Sequence, residues 1–296
     1  MASYSNNNPR LSFGRGPGGT GIRWGGLLVA ALFAGFAVCK YYSTSQINEI
    51  TGEKQHIGSI TKEQEIILGL ESAPTMAQEY GGLYPDERAQ AYVKQVGKRI
   101  VQNSVAQQSG YTYDFHLLAD PQVVNAFALP GGQVFITYAL FSRLDKEDQL
   151  AGILGHEIGH VIARHSAERM AQQELTQGLT GAAVIAAGDY NSAQGIQMIA
   201  NMVGMKYGRE QELESDDLGV RFMFESGYDP RALLDVMRIL EEATQGGQRQ
   251  PEFFSTHPSP ENRVQKINEA IEKYTQGKKL NTIQEPAIKL KDPNFK

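Results

Sequence analysis

Two histidines stand four residues apart at positions 156 and 160, and a glutamate lies between them at position 157. On an α-helix this spacing is little more than one turn, so both imidazoles project from one face and can bind the same metal ion. Glu157 is rotated by about 100° from His156, which leaves its carboxylate beside the metal. A carboxylate there can take a proton from a metal-activated water. The motif therefore predicts a peptide-hydrolysing site with one Zn²⁺ per chain.

The residues around this motif continue a helical pattern. Apolar side chains recur at a helical period on both sides of the two histidines, at Leu150, Ile153, Leu154, Ile158, Val161 and Ile162. Asp145 can cap the beginning of such a helix. We therefore expect one long amphipathic helix, beginning after Asp145 and continuing through the residues that follow His160, with the metal pair buried in its middle.

The composition excludes several other classes of protein. The net charge of −5 and the isoelectric point near 5.7 provide no basic surface for phosphates, so nucleic acid is not an expected partner. The single cysteine, Cys39, excludes an internal disulfide and a thiolate-rich zinc site. A hydrophobic fraction of 41% over 296 residues is enough for a sizeable core.

An apolar segment lies close to the N-terminus. Residues 1–23 are rich in Asn, Ser, Gly and Arg, which predicts disorder, whereas Lys40 is the only charged residue in 24–42. About nineteen residues can just span a hydrocarbon core of roughly 30 Å if the flanking charges extend to the interface. We therefore predict a single transmembrane anchor over residues 24–42, through which the protein contacts the lipid bilayer.

Basic residues predict the orientation of this anchor. Arg10, Arg15 and Arg23 precede it, and positively charged flanks remain in the cytoplasm. The rest of the chain would then lie in the periplasm, attached to a bacterial inner membrane. Three alternatives stay open: a signal peptide that is removed before export, a lipoprotein signal that ends at Cys39, and a transit region leading to the mitochondrial inner membrane, because the first acidic residue is Glu49.

Regular secondary structure is predicted from residue 61, after a polar linker over 43–60. Thr61 has the character of a helix N-cap, and a second amphipathic helix is expected from about Pro85 to Ser104. Alternating apolar residues predict three short strands, at 113–118, 123–129 and 133–138. The fold expected for residues 61–276 is therefore α+β and predominantly helical, with a small sheet beside the metal helix.

The second of these strands also carries a functional hypothesis. An extended substrate can pair with an open strand edge through main-chain hydrogen bonds, and we assign this edge to Asn125, Ala126, Phe127 and Ala128. The alternative is a sheet that only packs against the helices.

Two further segments follow the metal helix. Residues 175–204 are apolar and rich in Gly and Ala, but Asp189, Asn191 and Ser192 divide them into pieces too short to span a bilayer. A buried helical hairpin, a lid, or a segment that contacts the membrane surface fits this composition. Residues 277–296 are expected to be a short polar tail.

Two histidines leave a zinc site incomplete. A third histidine at the eleventh position of the motif is absent, since Ser166 stands there, and His165 is assigned a structural role because it would lie well round the helix. Downstream, Glu212 and Asp216 are four residues apart on another predicted helix. Glu212 can bind zinc while Asp216 accepts the outer N–H of a ligating histidine. The spacing alone does not distinguish Glu212 from Glu210 or Glu214.

A family resemblance rests on three motifs in order: HEIGH at 156–160, Glu212-x-x-Ser215-Asp216, and the segment Ser255-Thr-His-Pro-Ser-Pro260 with Arg263 after it. Together with the segment 125–132 they resemble the membrane-associated gluzincins of the HtpX and CAAX-prenyl-protease group. The likeness is closest to the short BepA-like periplasmic members and their mitochondrial relatives, and it covers roughly residues 60–274. It implies a zincin-like catalytic domain.

By position, the resemblance implies that His156, His160 and Glu212 bind the zinc, Glu157 is the general base and Asp216 supports a ligand. It also implies roles for His257 and Arg263, one of which would stabilise the oxyanion. For His257 a second role stays open, as a fourth metal ligand that closes the resting site like a latch. The sequence carries neither the multi-span body of the prenyl proteases nor a tetratricopeptide-like half, so we expect no recruitment of substrates by such a domain.

The resemblance also predicts partners. Protein or peptide substrates, and contacts with membrane or envelope proteins during their quality control, are expected. The alternative from another class is a non-catalytic zinc-binding scaffold or chaperone for unfolded envelope proteins. The intact Glu157 favours the enzyme, because a scaffold has no need of a general base.

Overall fold

A computed structural model of the protein describes residues 24–58, 60–187, 208–245, 251–259 and 261–276. The helices are α1 (Trp24–Ser43), α2 (Lys62–Glu79), α3 (Glu87–Gln102), α4 (Tyr138–Phe141), α5 (Glu147–Ile162), α6 (His165–Ala187), α7 (Arg209–Glu225), α8 (Ala232–Gln245), α9 (Glu252–Thr256) and α10 (Arg263–Thr275). The strands are β1 (Ser45–Ile47), β2 (Lys54–His56), β3 (Asp114–Leu118), β4 (Ala126–Ala128) and β5 (Gln133–Thr137), with a 3₁₀ helix at Val105–Ser109. The predicted disorder of 1–23, the polar tail of 277–296 and part of the segment 175–204 lie outside the described residues.

The predominantly helical α+β class is confirmed. Thr61 caps α2 as expected: its hydroxyl accepts the Gln64 N–H at 3.3 Å, and the Gln64 side chain accepts the Thr61 N–H at 2.9 Å. In α3 the apolar face predicted from the sequence is buried, and Asp86 caps its beginning by accepting the Arg88 and Ala89 N–H groups.

The main sheet has three strands in the order β3-β5-β4. β5 lies in the middle, parallel to β3 and antiparallel to β4, with Phe127 opposite Phe135. Gly131 and Gly132 make the turn between β4 and β5 at φ values of 81° and 107°, a region that favours glycine. All five residues of β5 are buried. The strand order leaves β4 at one edge of the sheet, in contact with α5.

α5 is the buried centre of the domain, and helices α3, α7 and α8 pack around it. The cap predicted at Asp145 is wrong: Lys146 holds the N-cap position, and the Gln149 side chain accepts the N–H of Asp145 at 2.7 Å. The single long helix is also wrong. It breaks after Ile162, where Arg164 adopts a φ of 53°, and α6 begins at His165.

A short β-hairpin occupies the segment that we expected to be a polar linker over 43–60. β1 and β2 pair antiparallel. Two side-chain amides of this segment, one just after β1 and one in β2, donate hydrogen bonds to the end of α5. Asn48 Nδ2 donates to the Ile162 carbonyl at 2.7 Å, and Gln55 Nε2 donates to the Ala163 carbonyl. The last carbonyls of a helix have no partner within it, so the hairpin satisfies the end of the metal helix. Strands of three residues leave too little alternation for sequence reasoning to detect.

A close approach of α5 and α7 lets the two helices share one buried site. A Cβ built on Gly159 would lie 2.9 Å from the Ser215 carbonyl oxygen and 3.0 Å from its Cα, and one built on Gly219 would lie 3.1 Å from the His156 nitrogen. Only residues without a side chain fit between these backbones. The glycines therefore set the spacing of the two helices.

Gly159→Ala is expected to push α7 away from α5 and to lower the free energy of unfolding by about 1–3 kcal/mol, the usual cost of overpacking. Gly152→Ala is the matched control, because its Cβ would meet Leu233 at ordinary contact distances of 3.4 Å and more on the same helix. Thermal unfolding of both variants checks the prediction, and equal stability of the two would contradict it.

Candidate metal centre

His156 and His160 lie on one face of α5, one turn apart, and both side chains are buried. Their Nε2 atoms are 3.1 Å apart. The helical spacing has thus brought two imidazole nitrogens together as the sequence predicted. Burial, with the neighbouring His156 as the next cause, lowers the pKa of His160 well below its ordinary value. A neutral imidazole is the form that binds metals.

α7 adds one carboxylate to this pair. The Glu212 oxygens lie 3.6 Å from His156 Nε2 and 3.5 Å from His160 Nε2. Of the three glutamates that the sequence left open, only Glu212 joins the histidines: Glu210 is exposed, and Glu214 contacts a different side chain. The geometry therefore distinguishes residues that the spacing could not.

His257 is the fourth member of the cluster, and it comes from the C-terminal end of α9. Its Nδ1 lies 3.1 Å from Glu212 Oε1 and 3.4 Å from His156 Nε2. Its ring stacks on Phe253 with centroids 4.4 Å apart, and its backbone N–H donates to the Phe253 carbonyl at 2.7 Å. The imidazole is thus held on the inner side of a short, braced segment.

The four side chains fit a tetrahedral zinc ion. One ligand atom from each of His156, His160, Glu212 and His257 lies within 4.8 Å of all the others, and the close pairs are separated by 3.1–3.6 Å. Zinc bonds of about 2.0–2.1 Å arranged tetrahedrally put ligand atoms about 3.3–3.4 Å apart. In addition, Glu212 Oε2 is buried and accepts no hydrogen bond from the described residues, which suits an oxygen that binds a cation.

Asp216 and Arg263 contact the Nδ1 side of His156, while its Nε2 faces the cluster. Asp216 Oδ1 lies 2.9 Å from His156 Nδ1, and the Arg263 guanidinium donates to both Asp216 oxygens at 2.7 and 2.9 Å. Burial opposes the charge of Asp216, but Arg263 and His156 outweigh it and hold the pKa of that carboxyl at about 2. Asp216 therefore fixes the ring of His156 with Nε2 pointing into the cluster.

Arg263 contacts both carboxylates that α7 brings to the cluster, and its role as an oxyanion donor stays a prediction. Two of its nitrogens bond Asp216, and its Nη1 lies 3.4 Å from Glu212 Oε2. The side chain is 1% exposed, and its Nη2 lies 3.5 Å from His156 Nδ1, the ring nitrogen that Asp216 also contacts. It is placed to orient Asp216, Glu212 and the ring of His156, while its Nη1 makes no hydrogen bond to the described residues.

His165 holds His160 in a corresponding way, and sequence reasoning missed it. Its Nδ1 lies 2.8 Å from His160 Nδ1, and its Nε2 lies 3.0 Å from Glu214 Oε2. The helical position that led us to a merely structural role does not exist, because the break at Arg164 redirects His165 towards His160. No glycine or proline marks that break in the sequence.

Glu157 lies beside the cluster without being part of it. It is fully buried, and neither carboxylate oxygen accepts a hydrogen bond from the described residues. Burial raises the pKa of Glu157, with His257 and His156 acting in the opposite direction. A carboxylate in this state has a strong tendency to take up a proton.

The proposed substrate edge lies along a cleft that reaches the cluster. A cavity of about 340 Å³ opens between β4 and α6, and Phe127, Ala128, Met170 and His257 are among its lining residues. Among the described strands, β4 pairs with β5 alone. The Asn125 side chain is already engaged, since it donates to Tyr80 at 3.2 Å and to Glu252 at 3.3 Å. The cavity thus lies against residues of the predicted edge at 125–128, while the Asn125 side chain itself braces α9.

Comparison with known proteins decides the family. The family model described as "Peptidase family M48" matches residues 87–271. The chain belongs to peptidase family M48. The matched range spans the main sheet and the helices that carry His156, His160, Glu212 and His257. A relative of the chain is named as a metalloendopeptidase. The family and this relative together identify the chain as a zinc metallopeptidase.

Two groups of relatives resemble this M48 peptidase. The chain is 30% identical over 273 residues to the mitochondrial metalloendopeptidase OMA1 of Schizosaccharomyces pombe, an alignment that covers 90% of this chain and 78% of the relative. It is 32% identical over 182 residues to the beta-barrel assembly-enhancing protease of Yersinia pestis, covering 58% of this chain and 37% of that protein. The Escherichia coli protein of the same name is 30% identical with the same 58% and 37% coverage. The chain thus spans about a third of the length of these two bacterial relatives.

Asp216→Ala is expected to weaken zinc binding about 10- to 100-fold, because His156 loses the partner that orients it. The neighbouring Asp217, which contacts Lys273 and Tyr274 at the surface, supplies the control Asp217→Ala. Competition with a chromogenic chelator measures both affinities. Equal affinities would contradict the role of Asp216.

His165→Ala is expected to weaken zinc binding to a similar extent through His160. His165→Asn keeps an oxygen near the position of the lost Nδ1 and is expected to restore part of the affinity. A merely structural His165 predicts no difference between Ala and Asn once both variants fold, as checked by circular dichroism.

Proposed function

We propose that this chain is a membrane-anchored endopeptidase in which His156, His160 and Glu212 hold one zinc ion per chain. The observation that carries the proposal is the buried cluster that contains these three side chains. The carboxylate of Glu157 lies beside this cluster and accepts no hydrogen bond from the described residues. Zinc bound there lowers the pKa of a water molecule and polarises a carbonyl. Peptide-bond hydrolysis needs both effects.

In this proposal Glu157 performs the proton transfers. Its carboxylate accepts the proton of the attacking water and later donates it to the leaving amine. The burial that raises its pKa makes the first transfer favourable, while a divalent cation nearby keeps the carboxylate ionised before the attack. The β4 edge pairs with an extended substrate, and the adjacent cavity receives an apolar side chain against Phe127 and Met170.

The anchor in this proposal is α1. It is the one described helix long and apolar enough to cross a membrane, and very little of it is buried in the protein. The basic residues that precede it favour a cytoplasmic N-terminus and a periplasmic catalytic domain. The relatives named above are bacterial and mitochondrial proteins, which supports a bacterial or a mitochondrial location. In either case the inner membrane is our proposal. Quality control of membrane or envelope proteins is the role we propose.

Glu157→Gln is expected to abolish cleavage, by a factor of at least about 10², while zinc content stays at that of the parent chain. Glu212→Gln is expected to lose zinc as well as activity, and Glu210→Gln, an exposed change on the same helix, is its control. Zinc analysis and cleavage of an unfolded protein substrate measure the two properties. An active Glu157→Gln protein would contradict the mechanism, and a fully loaded Glu212→Gln protein would contradict the ligand set.

We further propose that His257 closes the resting site as a fourth ligand. Its Nδ1 lies among the ligand atoms at the distances that tetrahedral zinc requires, so it would occupy the place of the attacking water. The stack on Phe253 holds it there. A substrate or partner that displaces the segment around α9 would then open the site.

His257→Ala is expected to raise basal cleavage or self-cleavage, because the closing ligand is removed. Ser255→Ala, an exposed change on α9, is the control and is expected to behave like the parent chain. If His257 instead donates to the oxyanion, the same substitution lowers turnover about 10²- to 10³-fold. A slow variant with no increase in self-cleavage would therefore contradict the latch.

A further inference from the structure

α6 does not end within the catalytic domain but continues along α1. Lys40 on α1 and Glu174 on α6 form an ion pair of 2.7 Å. Further along, a Cβ built on Gly178 would lie 2.7 Å from the Cβ of Ala37. The two helices thus run side by side in opposite directions, in contact through small residues. Close packing through Gly and Ala is typical of helices that associate within a bilayer.

In both helices the charged side chains end at the same height along the helix pair. The half of α6 from His165 to Glu174 contains Glu168, Arg169 and Glu174, whereas residues 175–187 contain no charged side chain. On α1, Lys40 is the only charge. The Lys40–Glu174 pair therefore marks one plane, on one side of which both helices are uncharged. The thirteen described residues 175–187 extend about 20 Å beyond this plane, well into the roughly 30 Å of a hydrocarbon core.

The threonine hydroxyls beyond this plane are hydrogen-bonded within α6. The hydroxyls of Thr176 and Thr180 each donate to the carbonyl four residues earlier in α6, at 2.7 Å. Such bonds satisfy hydroxyls inside a membrane. Gln177 is exposed but lies only three residues beyond Glu174, about 5 Å along the helix, at headgroup depth.

The outward surface of the helix pair is apolar. Leu179 on α6 is 39% exposed, and Phe33 and Phe36 on α1 are more exposed still. A cavity of about 410 Å³ opens between the two helices, with Phe33, Phe36 and Leu175 in its lining and Lys40 and Glu174 among its polar residues. A cavity of this character fits a lipid acyl chain.

We infer that residues 175–187 of α6 enter the lipid bilayer beside α1, so that the catalytic domain sits directly on the membrane surface. This rests on the proposed function, because it takes α1 as a membrane anchor. The occupant of the apolar surface is the bilayer, since the surface is continuous with α1.

The inference narrows the class of substrate. α6 begins at His165, which contacts His160, and Glu174 is the ninth residue after His165. The metal cluster is therefore about 14 Å along the helix from the membrane surface. The segments that reach it are extended parts of membrane proteins that lie close to the bilayer.

The test measures the depth of single residues with spin labels. In the full-length chain with Cys39→Ser, one cysteine is introduced by Leu179→Cys on the distal half of α6, by Leu32→Cys on α1 or by Gln172→Cys on the proximal half of α6. The labelled proteins are reconstituted in phosphatidylcholine–phosphatidylglycerol vesicles. Accessibility to oxygen, which partitions into lipid, is compared with accessibility to a water-soluble nickel chelate. Zinc content confirms that each variant is folded.

The expected result is that labels at positions 32 and 179 are accessible to oxygen and protected from the nickel chelate by at least about 10-fold relative to position 172. A label at 179 that behaves like the one at 172, with 32 still in lipid, would overturn the inference and leave the anchor intact. Exposure of all three positions to the chelate would overturn the anchor as well.

Discussion

The site depends on how closely two helices approach each other. α5 supplies His156 and His160, α7 supplies Glu212 and Asp216, and backbone-to-backbone contact at Gly159 and Gly219 brings the two sets together. A larger residue at either glycine separates ligands that must lie within about 3.4 Å of one another to share a zinc ion. The geometry of the site therefore depends on the absence of side chains at two positions, one next to His160 on α5 and one about two turns beyond Glu212 on α7.

The close packing of α5 and α7 buries more acidic than basic side chains at the site. Glu157, Glu212 and Asp216 are all buried, and Arg263 is the one buried cation beside them in the part of the chain that the structure describes. Proton uptake can relieve this excess, since burial raises the pKa of Glu157 and, against the effect of its own burial, Asp216 raises the pKa of His156. With all three carboxylates ionised and the histidines neutral, as a metal site requires, one guanidinium leaves two negative charges, which is a costly state in a protein interior. A divalent cation neutralises them. The charges therefore favour a bound metal for a reason independent of the ligand distances, and link metal binding to the stability of the fold.

The sequence predicted the parts of the site that local periodicity determines. The two histidines on one face of α5, the capped α2 and the three strands follow from spacing alone. The partner of His160 could not be predicted, because His165 reaches it only through the helix break at Arg164, which buried contacts stabilise: Arg164 bonds Glu65 on α2 at 2.9 Å. Likewise, the distinction between Glu212 and Glu214 depends on how α7 is rotated against α5. His257 and Arg263 were expected only from the family resemblance, since nothing local marks a loop histidine as a ligand.

Both walls of the cleft contribute to the proposed chemistry. β4 is held by the buried β5, so it offers a fixed edge, whereas the opposite wall is α6, which begins at the support of His160 and continues towards α1. In the proposed mechanism a substrate strand on β4 would lie between these walls, close to His257, and its entry would displace His257. α6 would keep its position, because Lys40 and Glu174 form an ion pair between it and α1. The ligand that we propose to move and the three that we propose to stay belong to different structural elements, so the site would open without losing the two histidines and the glutamate assigned to its metal.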